Sequence, residues 1–201
     1  MTSHDPTALP AGLPVPVDDG AADHLPGMAL PSLVLPSTAG GPIDLADAAS
    51  GVLVLSCYPR TGRPGEDPLP GWDQIPGARG CTPQACAFRD HHAELAGLGA
   101  RMLGLSTQTL EEQREAAERL RLPYPLLSDP ELSLAEALGL PTFPAGPLRL
   151  YRRLTLVARR GRIAKAFYPV FPPDRNAAEV VAWLRHPDDR GARLEPPGAP
   201  A

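Results

Sequence analysis

The chain has 201 residues, of which 43% are hydrophobic and 21% are charged, a balance typical of one globular domain with its own core. A net charge of −4 at pH 7 and a pI of about 5.7 argue against a nucleic-acid-binding surface. No apolar run approaches the ~18 residues that a membrane span needs, and the N-terminus lacks the basic and apolar regions of a signal peptide. We therefore expect a cytoplasmic protein that binds neither nucleic acid nor membrane.

The ends of the chain differ from its middle. Residues 1–30 are rich in proline and show no periodicity, so they are predicted to form a disordered or extended arm. The tail 187–201 is rich in proline, glycine and charge and is predicted to be flexible. The folded domain is therefore predicted to span residues 31–186.

The domain is predicted to open with a small β-hairpin around residues 33–45, followed by a strand over the apolar run 51–58. Residues 60–80 then alternate proline with glycine. A connection of more than about 15 residues without secondary structure is unusual in a compact domain and is often functional. Because Trp72 and Ile75 offer apolar anchors, this inserted loop is expected to fold over another part of the molecule.

The chain contains three cysteines, which cannot all pair within one molecule. In a reducing compartment this number suggests a catalytic or redox pair plus one buried thiol. Cys57 lies inside the predicted buried strand and is interpreted as a small core residue. Cys81 and Cys86 remain as the redox pair.

Cys81 lies where the loop is predicted to become a helix over about residues 82–97. Thr82 is a candidate helix cap, and Pro83 is tolerated in a first turn. Unpaired N–H groups and the positive end of the helix dipole stabilise a thiolate at this position. Cys81 is therefore predicted to be a reactive nucleophile, with Cys86 as its partner.

The rest of the chain alternates strands with helices. The pattern predicts strands at 101–106 and 124–130, helices at 109–120, 131–138 and 175–185, and a β-hairpin at 153–168. This order favours one α/β domain whose central strands are parallel and are completed by an antiparallel hairpin.

A metal site is the first alternative for the cysteines. The spacing Cys-x4-Cys, with His91 and His92 following, lacks the distant second pair of a zinc site. An iron–sulfur site of the plant type needs a further cysteine where Arg89 stands. Both histidines are interpreted as solvent-facing helix residues.

Four segments resemble, in order, the landmarks of the peroxiredoxins: Tyr58-Pro59, the stretch 80–90 (GCTPQACAFRD), residues 126–130 (LLSDP) and residues 153–157 (RLTLV). The resemblance covers roughly residues 30–185 and is closest to the Q-type, or bacterioferritin-comigratory, branch. It implies an α/β thioredoxin-like fold, with a central mixed β-sheet flanked by helices and an N-terminal β-hairpin. It also implies a peroxidase for hydrogen peroxide and organic hydroperoxides, acting as a monomer or homodimer without a metal or organic cofactor.

The resemblance also implies a role for each site residue. Cys81 would be the peroxidatic cysteine, which attacks the peroxide and becomes a sulfenic acid, and Cys86 would resolve it as a disulfide. Thioredoxin or a similar dithiol reductant would restore both thiols. Arg153 matches the arginine that holds the leaving oxygen, and Pro59 matches the proline that shields the thiolate.

Helix geometry constrains this pair. Two residues five positions apart in an intact helix have Cα atoms about 9 Å apart. A disulfide tolerates at most about 7 Å. If both cysteines are helical in the reduced state, the start of the helix must unwind before they can join.

The sequence departs from the family at one residue. The family has a threonine three residues before the peroxidatic cysteine, where this chain has Ala78, and the inserted loop separates Pro59 from Cys81. Thr61 is the candidate substitute if the insertion loops out and leaves Thr61 near the site.

Two other functions stay open. A thiol–disulfide oxidoreductase would use the same pair on protein disulfides, although such enzymes favour Cys-x2-Cys spacing, which this chain lacks. A peroxide sensor or binding module would be oxidised without efficient turnover, an alternative that the insertion and Ala78 keep open.

Overall fold

The computed structural model describes residues 6–186. Its helices and strands are, in chain order, β1 (Val34–Leu35), β2 (Ile43–Asp44), α1 (Leu45–Ala48), β3 (Val52–Cys57), α2 (Cys81–Asp90), α3 (His92–Gly97), β4 (Ala100–Ser106), α4 (Leu110–Arg119), β5 (Leu126–Ser128), α5 (Ser133–Leu138), β6 (Thr142–Ala145), β7 (Leu148–Tyr151), β8 (Leu154–Arg159), β9 (Arg162–Phe167) and α6 (Asn176–Arg185). Short 3-10 turns lie at Trp72–Gln74 and Pro173–Arg175.

A five-stranded sheet forms the centre of the fold, in the order β5-β4-β3-β8-β9. Strands β3, β4 and β5 run parallel, whereas β8 is antiparallel to β3 and β9 is antiparallel to β8. Strands β1 and β2 form the predicted hairpin ahead of this sheet. The α/β class, the mixed sheet and the N-terminal hairpin are therefore confirmed.

The two faces of the sheet bury different apolar clusters. One face packs against α1 and α5, with Leu45 and Leu134 in its cluster. The other packs against α2, α3, α4 and α6, with Phe88 and Val180 in its cluster. Alternate residues of β3 serve the two clusters, which is why this strand is apolar along its whole length. Since β3 ends at Cys57, the residues just after it emerge at the carboxyl edge of the parallel strands.

Two later elements follow from local sequence signals. Helix α4 begins at a capping box in which the Thr109 side chain accepts from the Glu112 N–H and Glu112 accepts from the Thr109 N–H. Strands β8 and β9 meet at Arg160 and Gly161, which both have positive φ, as a tight two-residue hairpin requires. The predicted helix and hairpin are confirmed.

Two helices have boundaries that differ from the prediction, and one hairpin was not predicted. The helix expected over 82–97 is two helices, since α2 ends at Asp90, α3 begins at His92, and His91 between them is not helical. The helix expected from residue 131 begins at Ser133, because Leu132 has a φ of 58° and the Asp129 carboxylate accepts from the first helical N–H groups. Strands β6 and β7 form an antiparallel hairpin that the prediction omitted.

Residues 6–30 run along the body of the domain as irregular chain. Leu25 and Leu30 are buried in the cluster beneath the sheet, and Ala29 forms an isolated bridge with Arg162 of β9. Nearer the N-terminus, Leu9 and Pro16 approach the end of the inserted loop. This segment was predicted to be disordered or extended, and its packing gives it a structural role that its lack of periodicity did not reveal.

The inserted loop is folded around its own small core. Trp72 is buried with Ala78 against Phe143 and Leu150 of the β6–β7 hairpin, and the Trp72 and Phe143 rings lie 6.4 Å apart. An ion pair between Arg79 and Asp73, at 3.1 Å, ties the end of the loop to the 3-10 turn. The hairpin absent from the prediction is therefore the support for the loop.

None of the helices within residues 6–186 is both long enough and apolar enough to cross a membrane. The flexible tail predicted over 187–201 lies outside the described residues.

Candidate active site

Cys81 is the first residue of α2 and is only 4% exposed. The residue before it, Gly80, has a φ of 103°, and a Cβ there would lie 2.4 Å from Cγ of Pro173. Only glycine meets both constraints. The Thr82 side chain does not cap the helix, because Thr82 already lies inside it and its hydroxyl has no hydrogen-bond partner among the described residues. The prediction of Thr82 as a cap was therefore wrong.

Arg153 faces the thiol from the sheet side. Its Nη2 lies 3.2 Å from Sγ of Cys81 and 3.1–3.2 Å from the carbonyl oxygens of Gly77, Ala78 and Arg79. The guanidinium is 3% exposed and forms no ion pair with a carboxylate within residues 6–186. A thiolate at Cys81 therefore meets a buried cation that has no other anionic partner in this part of the chain.

A chain of amides holds the arginine in place. Nη1 of Arg153 donates to Oε1 of Gln84 at 2.6 Å, and Nε2 of Gln84 donates to Oδ1 of Asn176 at 3.0 Å. The same Asn176 oxygen accepts from the Thr155 hydroxyl at 2.6 Å. These bonds fix the fork of the guanidinium without neutralising its charge. Sequence reasoning missed Gln84 and Asn176, although Gln84 lies three residues after Cys81 and so on the same face of α2.

Thr61 lies beside Cys81 in one cavity. It is buried, and both its N–H and its hydroxyl donate to Oε1 of Gln108, at 2.7 and 3.1 Å. Because the hydroxyl proton is used in this way, the Thr61 oxygen retains acceptor capacity toward the cavity. Gln108, which orients Thr61, was not predicted from the sequence.

Neither Pro59 nor Ala78 lines the cavity around Cys81. Pro59 follows β3, and its carbonyl accepts from the Ser106 hydroxyl at 3.1 Å. It is not among the residues that line the cavity around Cys81. Ala78 is buried, and its carbonyl oxygen lies 3.7 Å from Sγ of Cys81. The structure thus places Thr61 in the same cavity as Cys81 and places Arg153 against the Cys81 sulfur, whereas Pro59 directly precedes Arg60, which lines the cavity.

The cavity has a volume of about 120 Å³ and is lined largely by residues of the inserted loop. Its floor includes Thr61 and Cys81, and its apolar wall is formed by Pro68, Leu69 and Trp72. Paired charged side chains complete the lining. The thiol therefore faces a pocket that is lined largely by the inserted loop.

Cys86 lies five residues further along α2 and is half-buried. Burial raises the pKa of its thiol, and the neighbouring Arg89 guanidinium partly opposes that shift. Cys81 and Cys86 are both free thiols within one intact helix. Cys57 is fully buried in the core, as predicted, and burial raises its pKa strongly.

No cluster of three or more His, Cys, Asp or Glu side chains suited to a metal ion occurs within residues 6–186. His91 hydrogen-bonds to the Ala87 carbonyl at 2.9 Å, and the His92 ring stacks on Tyr124. Both histidines therefore have structural contacts.

Comparison with known proteins places the chain in a family. The family model described as Redoxin matches residues 25–182. The chain is 31% identical to peroxiredoxin Bcp of Bacillus subtilis over 163 residues, which cover 79% of this chain and 94% of that protein. It is 33% identical to peroxiredoxin bcp1 of Schizosaccharomyces pombe over 137 residues, 67% of this chain and 63% of that protein. The chain thus spans less than two thirds of the S. pombe relative and nearly all of the B. subtilis one.

Solved structures give the same result. Peroxidoxin BcpB of Mycobacterium tuberculosis matches with a TM-score of 0.66 at 30% identity, over 81% of this chain and 97% of that one. The bacterioferritin comigratory protein of Xanthomonas campestris, studied for alkyl peroxide reduction, matches with a TM-score of 0.60 over 85% of this chain and 95% of that one. At 21% identity, the second likeness supports the fold alone. The resemblance drawn from the four sequence segments is confirmed: the chain belongs to the redoxin family and, within the thioredoxin-like superfamily, to the Q-type, or Bcp-like, peroxiredoxins.

Proposed function

We propose that this protein is a thiol-dependent peroxidase in which Cys81 is the peroxidatic cysteine. One observation carries the assignment. The buried guanidinium of Arg153 lies 3.2 Å from Sγ of Cys81 and has no carboxylate partner among residues 6–186. A buried cation is costly unless an anion accompanies it, so this arrangement favours a thiolate. A thiolate is the form that attacks peroxides.

The chemistry follows from the groups around the sulfur. The Cys81 thiolate attacks one peroxide oxygen of ROOH, the O–O bond breaks, and the leaving RO⁻ takes up a proton to become ROH. The sulfur is oxidised by two electrons to a sulfenic acid. Negative charge builds up on the leaving oxygen, where Arg153 can stabilise it and the polar Thr61 side chain can orient the peroxide. Pro59 contributes to shielding through the chain segment that carries Thr61.

Cys86 then resolves the sulfenic acid. Its thiol condenses with the Cys81 sulfenic acid to form a disulfide and release water. Because the two residues lie in one helix with Cα atoms about 9 Å apart, the start of α2 must unwind first. Unwinding also exposes Cys86 and removes the burial that raises its pKa, so the resolving thiol is more easily ionised in the unwound state.

A dithiol donor completes the cycle. Thioredoxin or a similar reductant attacks the disulfide, restores both thiols and leaves as its own disulfide. The cycle needs no metal or organic cofactor. An odd number of cysteines with no disulfide framework fits a reducing compartment such as the cytoplasm, and a monomer or homodimer suffices for this chemistry.

The test is consumption of hydroperoxide coupled to thioredoxin and its reductase, with Cys81→Ser and Cys86→Ser variants. We expect turnover by the wild type and none by Cys81→Ser, whereas Cys86→Ser should be oxidised once and stall. Reduction of insulin disulfides in the absence of peroxide would instead identify a thiol–disulfide oxidoreductase. A wild type that is oxidised once and then stalls would identify a peroxide sensor.

A further inference from the structure

We propose that the inserted loop, residues 60–80, forms a substrate pocket that selects compact, uncharged organic hydroperoxides over hydrogen peroxide and over long-chain or anionic hydroperoxides. This inference rests on the proposed peroxidase function and deepens it. It concerns the inserted loop, of which the proposed peroxidase chemistry uses only Thr61. Four properties of the cavity carry it: its size, its wall, its charges and its connection to Cys81.

The first property is size. The cavity volume of about 120 Å³ is several times the ~10–15 Å³ that is needed to hold one water. Hydrogen peroxide leaves most of this volume to water. A branched or aryl hydroperoxide such as cumene hydroperoxide fits it well, and a fatty-acid hydroperoxide exceeds it.

The second property is an apolar wall that is held in place. Leu69 is half-buried and lines the cavity next to Trp72. The Trp72 ring is in turn packed on Phe143 of β6, and the backbone N–H of Trp72 donates to the backbone carbonyl of Leu69 at 2.9 Å. The wall is therefore preorganised, and an apolar substrate group binds it without first ordering the loop.

The third property is the charge of the lining. The guanidinium groups of Arg60, Arg63 and Arg79 pair with carboxylates at 3.1–3.5 Å. The carboxylates that line the cavity are those of Glu66, Asp67, Glu112 and Glu115. An anionic substrate must therefore compete with existing ion pairs and meets acidic side chains nearby. The lining favours an uncharged organic group.

The fourth property is the connection to the chemistry. Cys81 and Thr61 line the same cavity as Leu69 and Trp72. A peroxide bond at Cys81 thus leaves the organic group of the substrate within the pocket that the inserted loop lines. The loop supplies binding to that group, and Cys81 with Arg153 supplies the chemistry.

The experiment compares kcat/KM for cumene hydroperoxide, hydrogen peroxide and linoleic acid hydroperoxide. We expect the wild type to prefer cumene hydroperoxide by about ten-fold. Leu69→Ser should lower the ratio of kcat/KM for cumene hydroperoxide to that for hydrogen peroxide by about ten-fold, while Leu69→Met should retain it. Leu148→Ser is the matched control, because Leu148 is a 39% exposed leucine of β7 outside this cavity.

A binding measurement separates this inference from the proposed function. Cumyl alcohol, the product of the cumene reaction, should bind saturably to the Cys81→Ser variant and change its tryptophan fluorescence. The chain has two tryptophans, so Trp72→Phe in the same background leaves only Trp183 and should abolish the change.

Equal kcat/KM for all three peroxides, or a Leu69→Ser ratio equal to that of the wild type, overturns the pocket but not the peroxidase. Absence of turnover with every peroxide overturns the peroxidase, whereas absence of cumyl alcohol binding overturns the pocket.

Discussion

Arg153 donates only to neutral acceptors and to the Cys81 sulfur among the described residues. Burying a guanidinium without a counter-charge costs several kcal/mol, so a structural role alone does not account for this burial. Both the thiolate before the reaction and the leaving oxygen during it supply the missing negative charge. The arginine therefore stabilises the reactive states at the expense of the resting thiol.

Arg153→Lys tests this role, because it keeps the charge and loses the planar fork that contacts the sulfur and Gln84 together. We expect kcat/KM for peroxide to fall by roughly 10²-fold. The rate of Cys81 alkylation by iodoacetamide, which has no peroxide oxygen to stabilise, should fall much less. Arg152→Lys, at the neighbouring position, is the control. Equal losses in both rates would show that Arg153 acts on the thiolate alone.

Cys57 is one of the residues that link stability to pH. Burial, assisted by the Asp129 carboxylate, raises its pKa far above the ordinary thiol value of about 8.5. A raised folded-state pKa means that the unfolded chain loses this proton first as the pH rises. The stabilising contribution is therefore complete below about pH 8.5 and declines above it.

We expect Cys57 to lower the free energy of unfolding by up to about 1.4 kcal/mol per pH unit above pH 8.5. Cys57→Ala should remove this part of the slope, and urea unfolding under reducing conditions at neutral and alkaline pH measures it. Cys86→Ser is the comparison, since Cys86 is only half-buried. Parallel alkaline losses in wild type and Cys57→Ala would refute the linkage.

At the scale of elements, the start of α2 has little local stabilisation. Gly80 precedes the helix without a side-chain cap, and the Thr82 hydroxyl has no partner among the described residues. A missing cap forgoes about 0.5–2 kcal/mol. The first turn is held instead by contacts from distant parts of the chain, such as Pro173 and Leu9 against Gly80. A helix start of this kind can melt without loss of the sheet.

The elements that the sequence predicted are those with local signals. The capping box at Thr109 fixed the start of α4, and the turn at Arg160 and Gly161 fixed the β8–β9 hairpin. The β6–β7 hairpin had no such signal, because prolines interrupt the pattern at 141, 144 and 147. It becomes stable by packing on the inserted loop, which is a tertiary effect.

The residues of the candidate site also fall into those that the sequence could predict and those that it could not. Cys81 and Arg153 could be identified from the sequence because the motifs around them resemble a family. Gln108 and Asn176 could not, since each acts through a partner far along the chain, and Gln84 was missed although it shares a helix face with Cys81. Ordinary polar residues acquire such roles only when the fold buries them together. Thr61 could be named as a candidate from the sequence, but whether it lies near Cys81 depended on how the inserted loop folds.

At the scale of the whole molecule, the N-terminal arm covers the segment that the proposed cycle unwinds. A Cβ on Gly80 would lie 2.9 Å from Cδ2 of Leu9, and one on Gly77 would lie 3.5 Å from Cγ of Pro16. Further along, Leu25 and Leu30 anchor the arm in the core. Unwinding at Gly80 therefore requires that the arm contact at Leu9 open as well.

Leu9→Ser should therefore speed formation of the Cys81–Cys86 disulfide after a single equivalent of peroxide. Losing the half-buried apolar contact removes roughly 1 kcal/mol from the intact helix start, which corresponds to about five-fold faster disulfide formation if unwinding precedes it. Acid-quenched samples, analysed for free thiols over time, measure the rate. Val17→Ser is the matched control, because Val17 lies on the same arm and is 80% exposed. A Leu9→Ser rate equal to that of Val17→Ser would mean that the arm does not restrain α2, and the barrier to resolution would then lie in the contact with Pro173.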